Sequence, residues 1–349
     1  MRALHRLRAV DAFCGAGGFS LGLSDAGFEV STAFDIDECS INTYEKNLGP
    51  TPFISDVRNV GKKEIYRSAN LKASWEIDLL VGGPPCQGFS KQKRGGHLGD
   101  DRNKLVLEFL RLVNEVQPRS FVMENVETLA GIRGMHLVEA FRSLNSYNLH
   151  GDFYVAADYG VPQTRRRYFV VGIRSDLKDL YNPPEPASSI WPTVGSVFAD
   201  LPEPPNDYSE HPDFPNHQAA RVTPINVKRF SYVPQGGGWR DIPIDLRLAC
   251  HKKIDYPGGG WTDVYGRLEW DGQCRTVTGG FDSFTRGRYG HPLHDRPITA
   301  REAARLQGFP DSFVFTGNRA DVRRQIGNAV PVPMAAAIAR SVRNVLVAG

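Results

Sequence analysis

The run Ile77-Asp78-Leu79-Leu80-Val81 passes straight into Gly82-Gly83-Pro84-Pro85-Cys86-Gln87-Gly88-Phe89-Ser90. A short apolar run of this kind reads as a buried strand, and paired glycines and prolines stop it abruptly. The chain must turn there, and it carries Cys86 on the turn. In an open α/β sheet such a turn lies at the carboxyl edge of a strand, where ligands bind. A thiol held at that edge is a candidate nucleophile. A lone buried cysteine is otherwise inert packing, so other parts of the chain must supply what a nucleophile needs.

The same pattern of strand then turn recurs. Leu7 to Phe13 reads as a strand running into Cys14-Gly15-Ala16-Gly17-Gly18, followed by a helix through Leu21 and Leu23 that closes at Gly27. Strand, glycine turn and helix make a nucleotide-type cradle. The dinucleotide fingerprint G-x-G-x-x-G fails, because the sixth residue counted from Gly15 is Ser20. That disfavours a nicotinamide dehydrogenase. A second strand, Phe28 to Phe34, ends in Asp35-Ile36-Asp37, with an acid placed for ribose hydroxyls. A third, Pro52-Phe53-Ile54, is followed by Ser55-Asp56. These strand ends together form a binding edge for an adenosine-like ligand.

Beyond Cys86 comes Lys91-Gln92-Lys93-Arg94-Gly95-Gly96-His97, basic and glycine-rich, suited to clamp a phosphate backbone. A helix is predicted over 102–116, then a strand Ser120 to Met123 that Glu124-Asn125-Val126 ends, at the same edge as Cys86. Glu124 is either a satisfied loop acid or a functional one. A helix over 135–146 and strands near 152–157 and over 167–173 follow. Alternation along Gln163-Thr164-Arg165-Arg166-Arg167 sends Arg165 and Arg167 to one side. Two arginines facing a carboxylate-bearing cleft suit phosphate or base recognition, and a solvated basic strand end would look the same.

Organisation changes near residue 176. Ten prolines lie between Pro183 and Pro224, and residues 178–215 carry one lysine against seven acids. This marks an irregular boundary segment. Residues 221–301 reverse the sign, with 13 Lys/Arg against 8 acids, which is compatible with a polyanionic partner. The region is rich in glycine, aromatics and arginine, with short β-like pieces such as Arg275 to Thr278. Thr299-Ala300-Arg301-Glu302 has the pattern of a capping box, and an alanine-rich helix closes the chain. The five cysteines are scattered, without a C-x-x-C pair, which argues against a disulfide framework and a structural zinc. No signal peptide and no apolar run of membrane-spanning length are legible, so a cytoplasmic location is expected, where Cys86 stays reduced.

With these pieces in order, the chain resembles the DNA (cytosine-5)-methyltransferases over nearly its whole length. Phe13-x-Gly15-x-Gly17-Gly18, Gly83-Pro84-Pro85-Cys86-Gln87, Glu124-Asn125-Val126, Gln163-x-Arg165-x-Arg167, Arg296-x-Ile298-Thr299-x-Arg301-Glu302 and Gly327-Asn328-Ala329-Val330-Pro331 follow the order of the family's motifs. The resemblance implies an α/β, Rossmann-like sheet that binds S-adenosyl-L-methionine, with a smaller, loop-rich, mostly β target-recognition domain. It implies a catalytic domain of residues 1–178 and 318–349, and a recognition domain of 179–317. Cys86 would be the nucleophile, assisted by Glu124 and Arg167 with Arg165 in support. Phe13, Gly15, Gly17, Gly18, Pro84, Asn328 and Val330 would line the cofactor. Asp35 would take its ribose and Asp56 its adenine amine, with Ile36 and Val57 flanking the adenine. No metal is implied. Gln87, Ser90, Lys91, Lys93, Arg94, Arg240, Thr276, Arg286 and Arg288 would meet double-stranded DNA. A compact prokaryotic-type monomer, functionally paired with a restriction endonuclease, completes the expectation. The tRNA-modifying branch of the family and a catalytically silent DNA-binding module are the alternatives.

Overall fold

The computed structural model describes residues 6–49, 52–72, 76–85, 104–127, 140–141, 144–254 and 262–348. The chain forms two compact units. The first comprises Met1–Val155, Arg166–Ala187 and Ala329–Gly349, and the second Ala156–Arg165 and Ser188–Asn328. The divisions fall at 187/188 and 328/329, later than the 178/179 and 317/318 expected. Residues 156–165 also join the second unit.

The first unit is built on β1 (Arg8–Ala12), β2 (Glu29–Asp35), β3 (Pro52–Ile54), β4 (Leu79–Gly82), β5 (Ser120–Val126), β6 (Tyr147–Val155) and β7 (Arg166–Arg174). They form one sheet in the order β3-β2-β1-β4-β5-β7-β6. The first five run parallel, while β7 is antiparallel to both β5 and β6. Parallel strands with crossover helices bury both faces, which is why these segments read as continuous apolar runs. Val10, Leu80, Phe121 and Met123 on the strands pack with Val106, Phe109 and Val113 of the helix Lys104–Val116.

The strand order reverses between β1 and β4, the kind of switch point where open α/β sheets bind ligands. Register makes this edge a straight row. Ala12 pairs with Phe34 on one side and Gly82 on the other, and Gly82 pairs with Met123. The next residues along, Asp35, Phe13, Gly83 and Glu124, therefore stand side by side at the carboxyl ends of four adjacent strands. Strand β5 does not stop at Glu124, as the sequence reading had it. It continues to Val126 because β7 pairs with it through Val126↔Arg167.

Helix α1 (Gly18–Asp25) follows the glycine turn, and the last helix, Val332–Ala348, lies against it. The fit is close enough that a Cβ on Gly22 would stand 2.7 Å from the Ala335 Cβ. By length and composition alone the run Arg319–Ala348 could cross a membrane, which the sequence reading had not expected. In the fold, Met334, Ala335, Ile338, Ala339 and Val342 of this run are buried core.

The second unit is loop-rich, and its β content is narrower than the mostly β expectation. Among the described residues its only sheet pairs β8 (Gly266–Arg267) with β9 (Arg288–Gly290). Short helices, among them Pro224–Phe230, Ala300–Arg305 and Arg319–Asn328, hold more residues than the strands do. A small core of Phe230, Val233, Trp239, Ile242, Tyr265 and Phe284 organises the loops. The expected capping box is present: Glu302 N–H donates to Thr299 Oγ1 at 3.2 Å, and Thr299 N–H donates to Glu302 Oε2 at 2.8 Å.

Candidate active site

The edge of the first unit begins with the glycine turn after β1. Phe13 (φ 62°), Gly15 (φ 51°) and Gly17 (φ 97°) all adopt left-handed backbone. At Gly17 a Cβ would also lie 2.5 Å from Leu48 Cδ1, so only glycine fits there. At Gly15 a Cβ would meet nothing within 4 Å, so the turn faces open space. Asp35, the acid ending β2, supports the turn: its Oδ2 accepts Gly15 N–H at 2.9 Å and its Oδ1 accepts Asp37 N–H at 2.9 Å. Burial raises the Asp35 pKa, and these two backbone bonds oppose the rise. Ile36 is 66% exposed, an apolar side chain standing in water beside a polar edge. Val57 is buried in the core. Asp56 is more committed than the sequence implied. Its Oδ1 accepts both Arg58 N–H and Arg58 Nε–H at 2.9 Å, its Oδ2 accepts Arg58 Nη2 at 2.5 Å, and these bonds lower its pKa.

These residues fit the adenosyl half of S-adenosylmethionine. The open space over Gly15, the exposed apolar platform of Ile36 and the acid at the strand end are what a nucleoside requires. Behind the turn, Asp11 was not singled out in the sequence. It is fully buried and accepts the Ser20 hydroxyl at 2.6 Å; burial raises its pKa to about 7.

Farther along the row, Glu124 lies beside Gly83: a Cβ on Gly83 would be 3.3 Å from Glu124 Oε2. The other oxygen, Oε1, is 2.9 Å from Arg167 Nε, and both side chains are largely buried. Asn125, within the Glu124-Asn125-Val126 motif, braces the turn itself: its Nδ2 donates to the Pro84 carbonyl at 3.0 Å. Pro84 is buried and Pro85 exposed. Thus β5 supplies both a carboxylate beside the Gly83-Pro84 turn and the amide that holds that turn in place. Cys86, Gln87, Ser90, Lys91, Lys93 and Arg94 lie outside the described residues. So does most of the helix expected over 135–146.

The alternation of arginines separates them further than expected. Arg166 lies exposed over the Phe153 ring at 4.3 Å. Arg165 belongs to the second unit and is buried there. Its Nη1 donates to the Val277 carbonyl at 3.1 Å and the Gly327 carbonyl at 3.2 Å. These bonds make it a strut between backbone segments. Gln163 reinforces the same Val277 segment, accepting Val277 N–H at 2.9 Å and donating to the Leu306 carbonyl at 2.9 Å. Tyr289 donates to the Thr276 carbonyl at 3.0 Å, so half-buried Thr276 sits on a braced segment. Asn328 ends its helix exposed within the second unit, while Val330 is buried in the first.

Arg240 and Arg286 are exposed. Arg288 departs from expectation. Its Nη1 donates to the carbonyls of Gly236 and Gly237, both at 2.6 Å, and of Arg267 at 3.1 Å, so it holds a turn together. Glu203, His291 and His294 come close enough to suggest a metal site. Arg296 speaks against one, because its guanidinium donates to both Glu203 oxygens at 3.1 Å and would repel a cation.

The family model for C-5 cytosine-specific DNA methylase matches residues 7–344. The Type II methylase M.HgiDII of Herpetosiphon aurantiacus is 35% identical over 347 residues, covering 97% of this chain and 95% of that protein. The Type II methyltransferase M1.HphI of Haemophilus parahaemolyticus is 35% identical over 343 residues, covering 96% and 86%. Among solved structures, an E. coli prophage protein described as a DNA modification methyltransferase superposes with a TM-score of 0.72 at 30% identity, covering 97% of this chain and 99% of that one. The chain belongs to the C-5 cytosine-specific DNA methylases: it is a DNA (cytosine-5)-methyltransferase that uses S-adenosylmethionine and acts on DNA.

Proposed function

We propose that the protein methylates a cytosine flipped out of duplex DNA at a short target sequence, through a covalent bond between Cys86 and C6 of the base. The observation that carries this reading is the Glu124–Arg167 pair beside the Gly83-Pro84 turn, two residues before Cys86. C5 of cytosine is a weak nucleophile. The Cys86 thiolate adds to C6, and the C5=C6 electrons move toward C5 as N3 gains a proton. Glu124 hydrogen-bonds N3 and the exocyclic amine and stabilises that protonated form. Arg167 holds O2 of the base. S-adenosylmethionine supplies an electrophilic methyl group when bound. C5 takes the methyl, leaving a neutral thioether; C5 then gives its proton to a water molecule, the electrons left behind expel the Cys86 thiolate, and N3 returns its proton by way of Glu124, which restores the ring. A cytosine stacked in a duplex cannot reach such a pocket, and extruding it costs a few kcal/mol.

In this reading Phe13, Asp35, Ile36 and Asp56 hold the adenosyl group, and Ser90 with Lys91, Lys93 and Arg94 closes on the DNA backbone. The second unit reads the target. The enzyme works as a monomer in the cytoplasm, paired with a restriction endonuclease of the same specificity, as the Type II names of its relatives suggest.

The test is methyl transfer from labelled S-adenosylmethionine to unmethylated duplex DNA, with Cys86→Ser beside the wild type, and sequencing of the product for 5-methylcytosine. Label on one cytosine of a short recurring site, lost in Cys86→Ser, is the expected result. Label on tRNA instead of DNA, or transfer that survives Cys86→Ser, would overturn the proposal.

A further inference from the structure

Residues 228–253 of the second unit carry six Lys/Arg against two acids, a local excess suited to a polyanion. Three of these cations donate to the backbone of one short loop. Arg247 donates to the Arg240 carbonyl and, through Nε at 2.7 Å, to the Ile242 carbonyl. Lys252 Nζ donates to the Asp245 carbonyl at 2.9 Å, and Arg229 Nε to the Leu246 carbonyl at 2.7 Å. The loop closes on itself where Leu246 N–H donates to the Pro243 carbonyl at 2.9 Å.

What this clamp holds in place is a tip that is not basic. Ile242 is buried in the core of the unit and Leu246 packs against that core, so both feet of the turn are anchored there. Ile244, between them, is 66% exposed, and exposed Asp245 follows it. A single apolar side chain in water needs no explanation by itself. Here three cationic side chains fix the backbone that carries it. Ordering a loop and its long side chains costs entropy, and an isoleucine left in water returns none of it.

Such a tip suits no phosphate, because isoleucine offers it no donor and aspartate repels it. It suits base edges in a groove. Among the groups that base pairs present in the major groove, the apolar one is the C5-methyl of thymine. We infer that Ile244 is a specificity-determining residue that packs on the methyl group of a thymine in the target sequence. The assignment rests on the reading of the second unit as the part that recognises DNA.

The test uses duplexes that carry the methylated site, with each thymine in turn replaced by deoxyuridine, which removes the methyl group alone. Initial rates of methyl transfer are compared for wild type, Ile244→Ala and Ile190→Ala, the last altering an exposed isoleucine of the same unit outside this loop. Deoxyuridine at one position should slow wild type and Ile190→Ala by roughly 4- to 10-fold. Ile244→Ala should be slowed to the same degree on the thymine duplex and should be indifferent to deoxyuridine at that position. A wild type indifferent to every replacement would overturn the assignment. So would an Ile244→Ala enzyme that keeps the wild-type penalty, the result expected of a wedge between base pairs. Loss of the penalty in Ile190→Ala as well would also overturn it. A wild type that methylates no DNA overturns the DNA reading itself, a result distinct from an active wild type that ignores the methyl group.

Discussion

Arg167 Nε stands 2.9 Å from Glu124 Oε1, joining two antiparallel neighbours at the sheet edge, with the side chains only 14% and 12% exposed. The register pairs Arg167 with Val126 rather than with Glu124, so the contact is a diagonal one across β5 and β7. A carboxylate this buried needs its cation, and each partner fixes the other's position. The ion pair therefore presents a rigid donor–acceptor surface beside the Gly83-Pro84 turn.

Glu124→Gln keeps the shape and removes the charge. It should lower kcat by roughly 10²- to 10⁴-fold while S-adenosylmethionine binding, followed by calorimetry, stays near wild type. Arg167→Ala should cost a comparable amount, and the double variant should cost much less than the product of the two. Independent, multiplicative losses would show that the pair does not act as a unit.

Asn125→Ala removes the Nδ2 bond to the Pro84 carbonyl and leaves that buried acceptor unpaired. A lost bond of this kind costs about 1–3 kcal/mol. Because Pro84 immediately precedes Pro85 and Cys86, kcat should fall while cofactor affinity holds. A fall in cofactor affinity with kcat unchanged would show that the bond serves the cofactor edge instead.

Gly17→Ala places a Cβ at φ 97° and 2.5 Å from Leu48 Cδ1. Left-handed strain and overpacking together should destabilise the first unit by roughly 2–4 kcal/mol and weaken S-adenosylmethionine binding. Gly49 also has positive φ, but a Cβ there would meet nothing within 4 Å, so Gly49→Ala serves as the milder control. Equal losses in melting temperature for the two variants would rule out the clash as the cause.

Glu302 gives the second unit an acid-sensitive anchor. Burial raises its pKa, but the Arg296 guanidinium, 2.7 Å away, outweighs burial and holds it at about 2. A carboxyl whose folded pKa is depressed stabilises the fold above its unfolded value near 4.5, and that stability is lost as pH falls toward about 2. The contribution at neutral pH is on the order of 3 kcal/mol. Urea unfolding of wild type and Glu302→Gln should therefore differ most at pH 7 and converge as pH falls from about 4.5 toward about 2. A difference that does not change with pH would mean that the charge of Glu302 is not what stabilises the unit.

Arg288→Ala should lower the melting temperature of the protein without changing which cytosines are methylated, since its Nη1 holds three carbonyls. A changed target sequence in the folded variant would return Arg288 to the DNA-reading set.

Local chemistry was enough to mark the strand ends. Apolar runs that stop at Asp35, at Gly83-Pro84 and at Glu124 declare themselves, because burial and turn formation act on neighbours in the chain. The places of Asp35, Gly83-Pro84 and Glu124 along the carboxyl edge of the sheet were legible for that reason. What lay beyond the sequence depends on partners far apart in it. Arg165 and Arg167 are two residues apart and look alike. One meets Glu124, 43 positions away, while the other meets the carbonyls of Val277 and Gly327. Arg240 and Arg288 count equally toward a basic region, yet one lies on a buried tryptophan and the other is drawn into a turn of three glycines. Composition sums charge without direction. Only tertiary packing determines which guanidinium groups are drawn to carbonyls of the fold, which to a carboxylate and which to the face of a ring.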